Sequence, residues 1–438
     1  MKVLKKRIIP SGWELKKIRD IASTGSGGTP LSTNKENYEG GTIPWINSGE
    51  VYGYKINSTE SFITQKGLNS SSAKLFPKGS ILIAMYGATA GKSSILNFEA
   101  ATNQAICSIV LNNGYNHYFL KYYLDLLYDY LVGVSTGSAR DNLNQKGIQD
   151  LEIPFPDIDL QNKIAKVLSN LDNKIELNNK INKELESIAK LIYDYWFVQY
   201  DFPDENGKPY KSSGGKMVYN EELKREIPDG WEVGELKFWI DRDKSGDWGK
   251  EKSEGNHTEK VSCIRGADIN GLNGQGKVKA PERYILSKNT HKILEAGDLI
   301  IEISGGSPTQ STGRLGYIID STLERFNDPL ICSNFCRAIT LADKKYIYNF
   351  IQLWNRLYDA GVLFGWEGKT SGIKNLLFDS FISNYSQPIP EYKLVEKYFN
   401  KVDPLYTKIQ HNLKENEKLT ELRDWLLPML MNGQVTVN

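Results

Sequence analysis

Cysteine is scarce in this chain: four in 438 residues, at 107, 263, 332 and 336. That is too few for a disulfide framework. Cys332 and Cys336, spaced to share one face of a helix, have no His or second Cys pair beside them, whereas zinc needs about four such ligands. Reduced, partly buried thiols and no metal are therefore expected. Histidine is as rare: His117, His257, His291 and His411 have no carboxylate or Cys neighbours at ligand spacing. No Gly-x-Ser-x-Gly elbow occurs, and no Asn-Pro-Pro-aromatic tetrapeptide of the amino-methyltransferase type. The chain has no catalytic set of its own. No apolar run approaches the ~18 residues that span a bilayer, and the basic start Met1–Arg7 lacks a signal peptide's apolar stretch, so the cytoplasm is expected. A surplus of positive charge is missing too. The net charge is +1, where a nucleic-acid binder is expected to be basic. Any phosphate contacts need cations clustered in space, or supplied by another subunit.

What the chain does have is itself, twice. Ile9-Pro10-Ser11-Gly12-Trp13-Glu14 recurs 218 residues later as Ile227-Pro228-Asp229-Gly230-Trp231-Glu232. Ile43 to Val51 lines up with Val261 to Ile269 at the same offset, and Pro77 to Met85 with Glu295 to Ile303. Both of the latter read as a turn, a Gly and a short buried strand. Ala101-Thr102-Asn103-Gln104 matches Cys332-Ser333-Asn334-Phe335 at 231, so the second block has gained residues. Each block then carries an apolar helical stretch, Tyr118 to Leu131 and Tyr346 to Leu357, followed by a Gly-containing segment. The plan is shared and the side chains differ.

Ile153-Pro154-Phe155-Pro156 recurs as Pro388-Ile389-Pro390, with an offset of 234 for the prolines. Roughly forty polar residues follow each, with a stripe at spacings of three and four: Leu160, Ile164, Val167, Leu171, Asn178, Ile181, Leu185, Ile188 and Ile192, then Leu394, Tyr398, Lys401, Leu405, Lys408, Asn412, Glu415, Leu419, Leu422 and Leu426. Heptad spacing of this length argues a coiled coil, each helix about 60 Å long. An antiparallel pair would bring Asn178 and Asn412 together near its middle, where an Asn fixes register. Residues 201–226, rich in Gly, Lys and Asp, read as a linker.

Two Gly-rich stretches invite a phosphate-loop reading. Gly87-Ala88-Thr89-Ala90-Gly91-Lys92-Ser93 has three residues between its glycines where the Walker pattern requires four. A surface loop whose Lys92, or Arg314 in the second block, faces a phosphate or base edge is the better reading. Ser23 to Pro30 lacks the acidic partner of a dinucleotide site, leaving a flexible turn or a backbone clamp.

This plan resembles the specificity subunits of type I restriction-modification systems. The resemblance is carried by the Ile-Pro-x-Gly-Trp-Glu openings, by Ser135-Thr136-Gly137-Ser138-Ala139-Arg140 running into Asn142-Leu143-Asn144, and by Ile153-Pro154-Phe155-Pro156. The second copy departs from the pattern: Thr370-Ser371-Gly372-Ile373-Lys374 is shorter, Phe335 stands for Gln104, and Pro404 inside the second helix suggests a kink or late start. The resemblance implies an α+β fold: two β-rich recognition domains (1–152 and 227–386) and two long antiparallel helices (153–200 and 387–438) in a coiled coil with pseudo-twofold repeat. Each domain would read one half of a bipartite, asymmetric site in double-stranded DNA, with the helices fixing the gap. Two modification subunits carrying S-adenosylmethionine and the adenine-methylating site would dock near the helices, and restriction subunits, where present, would bring ATP and Mg. This chain would bind no cofactor.

Base edges are read by Arg, Asn, Gln and similar side chains, while phosphate contacts set orientation. On that chemistry the candidates are Asn47, Glu50, Lys92, Asn103, Gln104, Arg140, Asn142 and Lys146 in the first block. In the second they are Arg265, Asp268, Arg314, Asn334, Lys369 and Lys374. For the helix and subunit interface they are Leu160, Ile164, Leu171, Asn178, Leu185, Ile188, Leu394, Leu405, Asn412, Leu419 and Leu422. Two other readings compete: a complete methyltransferase with its own cofactor site, and a scaffold whose heads bind proteins.

Overall fold

The computed structural model describes residues 9–136, 143–307, 309–370 and 372–437, the side chains of 135, 136, 369 and 370 excepted. The chain forms two compact units, Met1–Ile175 with Lys418–Asn438, and Glu176–Glu417. The division falls inside both long helices, not at their ends.

In the first unit the opening strand Glu14–Lys17 pairs antiparallel with Glu152–Phe155, which tethers the start of the block to its exit. A five-stranded sheet follows in the order Ala22–Ser26, Ile106–Leu111, Ile81–Ala84, Ser93–Leu96, Lys55–Ile56. A second sheet holds Ile43–Ile46 parallel to Ala100–Thr102. The predicted buried strand is Ile81–Ala84, with all four residues buried. Phe119, Leu120, Tyr123 and Leu124 of helix His117–Leu126 pack on the first sheet's core with Ile164, Ala165 and Leu168 of the first long helix and Leu430 and Met431 of the second.

The second unit repeats the central strands of this plan, with four strands against five in the main sheet and an added small sheet of Ser304–Gly305, Ile373–Leu376 and Glu367–Thr370. Glu232–Glu235 pairs with Ser386–Ile389. A sheet runs Ile240–Ser245, Cys336–Leu341, Asp298–Glu302, Leu315–Tyr317. His257–Ile264 lies parallel to Leu330–Cys332. The register corrects the sequence alignment by one residue. Ile46 faces Thr102 in the first parallel pair and Ile264 faces Cys332 in the second. The offset there is thus 230, Asn334 matches Gln104, and Phe335 matches Ala105. Cys332 and Cys336 lie on two strands, not on a helix face, and all four cysteines are free and buried. Burial pushes the Cys332 thiol up to about 12, which keeps it protonated and unreactive. The 201–226 segment is more than a linker: Met217–Asn220 and Arg225–Pro228 form a hairpin.

The long helices are Ile158–Tyr193 and Tyr392–Met431. Asp157 caps the first, its carboxylate accepting from the Leu160 N–H at 2.8 Å. The second is unbroken through Pro404, which is exposed; there is no late start. Within the second unit they pair antiparallel. The Asn178 amide donates to Asn416 (2.9 Å) and Glu415 (2.7 Å), and Asn412 donates to Asn182 (2.7 Å). Asn178 and Asn412 are both buried at the seam, each bonded to an Asn one turn from the other. Asn412 and Asn416 stand 234 residues after Asn178 and Asn182, so duplication turned two amides into a belt of four.

The seam itself is rotated from the expected stripe. Leu394 and Ile164 are buried on it, and Leu160 and Leu405 pack at its edge. Leu171, Leu185 and Leu419 are only half-buried, and Ile188 and Leu422 are exposed. Lys401 and Lys408 are exposed as well. Asp172, Asn182, Val402, Ile409 and Asn416 are buried instead, and Gln161 and Gln410 are buried against their own blocks, Gln161 accepting from the Asn116 N–H and Gln410 donating to Tyr317.

Candidate nucleic-acid interface

In the first unit, the strand end at Ile46 opens into a turn braced from three sides. The Asn47 N–H donates to the Glu50 carboxylate at 2.8 Å and its side-chain amide to Ser61 Oγ at 3.2 Å. Thr89, from the Gly-rich loop, donates to the Ser48 carbonyl at 2.6 Å. The Asn103 N–H bonds the Ile46 carbonyl, and Asn103 Oδ1 closes its own turn onto Ala105 N–H at 3.1 Å. Gln104 is exposed, its amide oxygen accepting from Thr29 at 2.6 Å. The turn at 47–50, the 103–104 turn and the two Gly-rich loops therefore converge. Gly27 is required there because a Cβ would collide with the Thr102 carbonyl, which explains the Gly stretch as close backbone packing. Lys92 lines a different, polar cavity of about 360 Å³, with Lys121, Tyr122, Asp125, Asp172 and Arg423. Lys146 is exposed on the short helix Gln145–Gln149, which Gln145 ties to Thr24. Arg140 and Asn142 lie outside the described residues.

The second unit builds the same turn with different chemistry. Asp268 closes it, accepting from the Arg265 N–H and guanidinium (2.7 Å at Nε) and from the Lys279 N–H. Burial works to raise the Asp268 pKa, but these hydrogen bonds outweigh it and hold the carboxyl below the usual range. Asp268 is thus a buried brace, and Glu50 makes the matching backbone contact. Arg314 forms a two-pronged pair with Glu302 at 2.7 and 2.8 Å, both side chains largely buried. Lys374 pairs with buried Glu367 at 3.2 Å. Lys369 is placed by its backbone in strand Glu367–Thr370. Arg265 and Asn334 line one cavity of about 590 Å³ with Trp248, Phe335 and Ile373. Asn334 also lines a second, of about 480 Å³, with Lys292 and Arg337. Sequence reasoning missed Trp248 and Ile373. Phe335 could have been found by sliding the repeat one residue, which sets an aromatic opposite Ala105.

A family model, the type I restriction modification DNA specificity domain, matches residues 10–187. The MjaIX type I restriction enzyme specificity subunit of Methanocaldococcus jannaschii is 30% identical over 442 residues, covering 98% of this chain and 95% of that protein. The chain belongs to the type I restriction enzyme specificity subunits. The MjaVIII specificity subunit of the same organism is 24% identical and covers 98% of this chain and 94% of its own length. The crystal structure of a type I restriction-modification S subunit from M. genitalium has the same fold, with a TM-score of 0.57 at 17% identity over 95% of this chain and 96% of that one. Specificity subunits are the non-catalytic, DNA-recognising members of their complexes. Among the described residues no helix is long and apolar enough to cross a membrane.

Proposed function

We propose that this specificity subunit reads a bipartite, asymmetric DNA site, one half with each unit, and works together with two modification subunits. One observation carries the reading: full-length similarity to a specificity subunit in a chain whose two copies share their central strands and pairing but differ at the same turns. Asn47, Asn103 and Gln104 in one copy correspond to Arg265, Ser333 and Asn334 in the other, so unlike base edges would be read. The even charge balance fits a division of labour in which the partners add phosphate contacts. S-adenosylmethionine belongs to the modification subunits, and ATP and Mg to any restriction subunits. Extraction of the target base is the methyltransferase's task, so the reader can stay rigid. The cytoplasm is the fitting compartment.

Two partner copies are supported by a repeated apolar pair. Ile188 and Leu191 are exposed on the first long helix, and Leu422 and Trp425, 234 residues on, are exposed on the second. Apolar side chains left bare at equivalent positions suit two copies of one protein.

The test is binding of the assembled complex to duplexes across a salt series. Log affinity should fall linearly with log salt for any duplex, with a preference for one sequence retained throughout. Affinity indifferent to salt would favour the protein-scaffold reading. S-adenosylmethionine bound by the isolated chain would favour the methyltransferase reading.

A further inference from the structure

Beside Asn334, the second unit holds a cavity whose chemistry differs from the rest of the reading turns. Phe335 (54% exposed), Ile373 (44%) and Trp248 (37%) form its walls. Bare apolar side chains gathered in one depression need an explanation that scattered ones do not. The wall is held in place. The Phe335 carbonyl accepts from the N–H groups of Ile303 and Ser304, and the Arg283 guanidinium covers the Trp248 ring at 4.0 Å. The first unit has no aromatic ring at the matching position, where Ala105 is buried. The polar rim is of base-reading type: Asn334 is exposed, and Arg265 is oriented by Asp268. On Asn334's other side, the neighbouring depression holds Lys292 with Asp247, and Arg337 there is paired with Asp379 at 2.7 Å, so it adds polar surface and no net positive charge.

We propose that the cavity walled by Trp248, Phe335 and Ile373 reads the 5-methyl group of a pyrimidine in the half-site bound by the second unit. The inference rests on the DNA-reading function above. In the major groove every base edge presents hydrogen-bonding atoms, and only thymine adds an apolar group, its C5-methyl. A 5-methylated cytosine offers the same chemistry. An apolar wall next to an amide suits a methyl beside a base edge that Asn334 hydrogen-bonds. The second unit then reads by a polar group and a shape together.

The experiment uses the complex of this chain with its modification subunits, on the duplex identified as its own target. Each thymine of both half-sites is replaced in turn by deoxyuridine, which lacks the methyl. One replacement, in one half-site only, should weaken binding roughly fourfold, the worth of one buried methyl group. Phe335→Ala should weaken binding to the unmodified target similarly and become indifferent to that replacement, while Phe335→Leu keeps the sensitivity. If the sensitive position is cytosine, 5-methylcytosine there should strengthen binding instead. The proposal is overturned if no 5-methyl matters at any position, or if Phe335→Ala still senses it. It is also overturned if Phe335→Ala weakens binding while every deoxyuridine is silent, since the ring would then be inserting between base steps. A complex that binds no duplex at all overturns the DNA-reading function itself.

Discussion

In the second unit Glu302 stands where the first has Ala84, and this exchange changes what the neighbouring cation does. The strand geometry is the same: the Ala84 N–H bonds the Lys92 carbonyl, and the Glu302 N–H bonds the Arg314 carbonyl. Arg314 is neutralised by Glu302, whereas Lys92 has an alanine beside it. Arg314→Ala should therefore act first on stability, leaving a largely buried carboxylate unpaired at a cost of about 2–3 kcal/mol after allowing for partial exposure. Thermal unfolding should show a loss that Glu302→Ala, added to it, largely restores; a stable single variant with lost DNA binding would contradict this. Glu186 gives a pH dependence. It lines a cavity with Tyr317, Gln352 and Tyr406, and burial pushes its carboxyl up to about 7. A raised folded-state pKa stabilises below the ordinary value and is lost as pH rises through the folded value. Glu186→Gln should thus raise the melting temperature at pH 8, with a gain that shrinks toward nothing as pH falls to 4.5, the carboxyl's ordinary value. A gain independent of pH would contradict the burial argument.

At the scale of elements, the four-Asn belt predicts an asymmetry between single and paired changes. Asn412→Ala removes the donor to buried Asn182 and should cost about 1–2 kcal/mol. Replacing Asn182 and Asn412 together by Leu removes both partners and adds apolar seam, so thermal stability should return to wild type or above. A double variant less stable than the sum of its singles would refute this. The belt also marks how far the sequence could be read. Repeat, helices and paired blocks were legible because duplication wrote each signal twice. The seam's rotation was not, because Asp172, Asn182 and Asn416 look like surface residues until hydrogen bonds and an ion pair reach them from the other helix. The Asp172 carboxylate, for instance, takes a hydrogen bond from Tyr122 at 2.6 Å and an ion pair from Arg423 at 2.7 Å. In the candidate site, Arg265, Asn334 and Gln104 were legible from side-chain type. The engagement of Arg314 by Glu302 and of Lys374 by Glu367 was not, because strand pairing brings those partners together. Aligned at 218, an acid opposite Ala84 was the available clue.

For the whole molecule, two equivalent bare apolar pairs predict stepwise assembly. Trp425→Asp and Leu191→Asp should each remove one modification subunit from the complex, and the two together both, as read by light scattering on the purified assembly. Undiminished mass in the double variant would mean that the partners dock elsewhere. Two unlike readers in one chain should specify one divided target. The decisive experiment maps methylated adenines in a host expressing this subunit with its modification subunits, with and without Asn334→Ala. A single motif of two different half-sites with a fixed gap is expected, with a change confined to one half in the variant. A continuous or palindromic motif, or a variant that alters both halves at once, would rule out two independent readers.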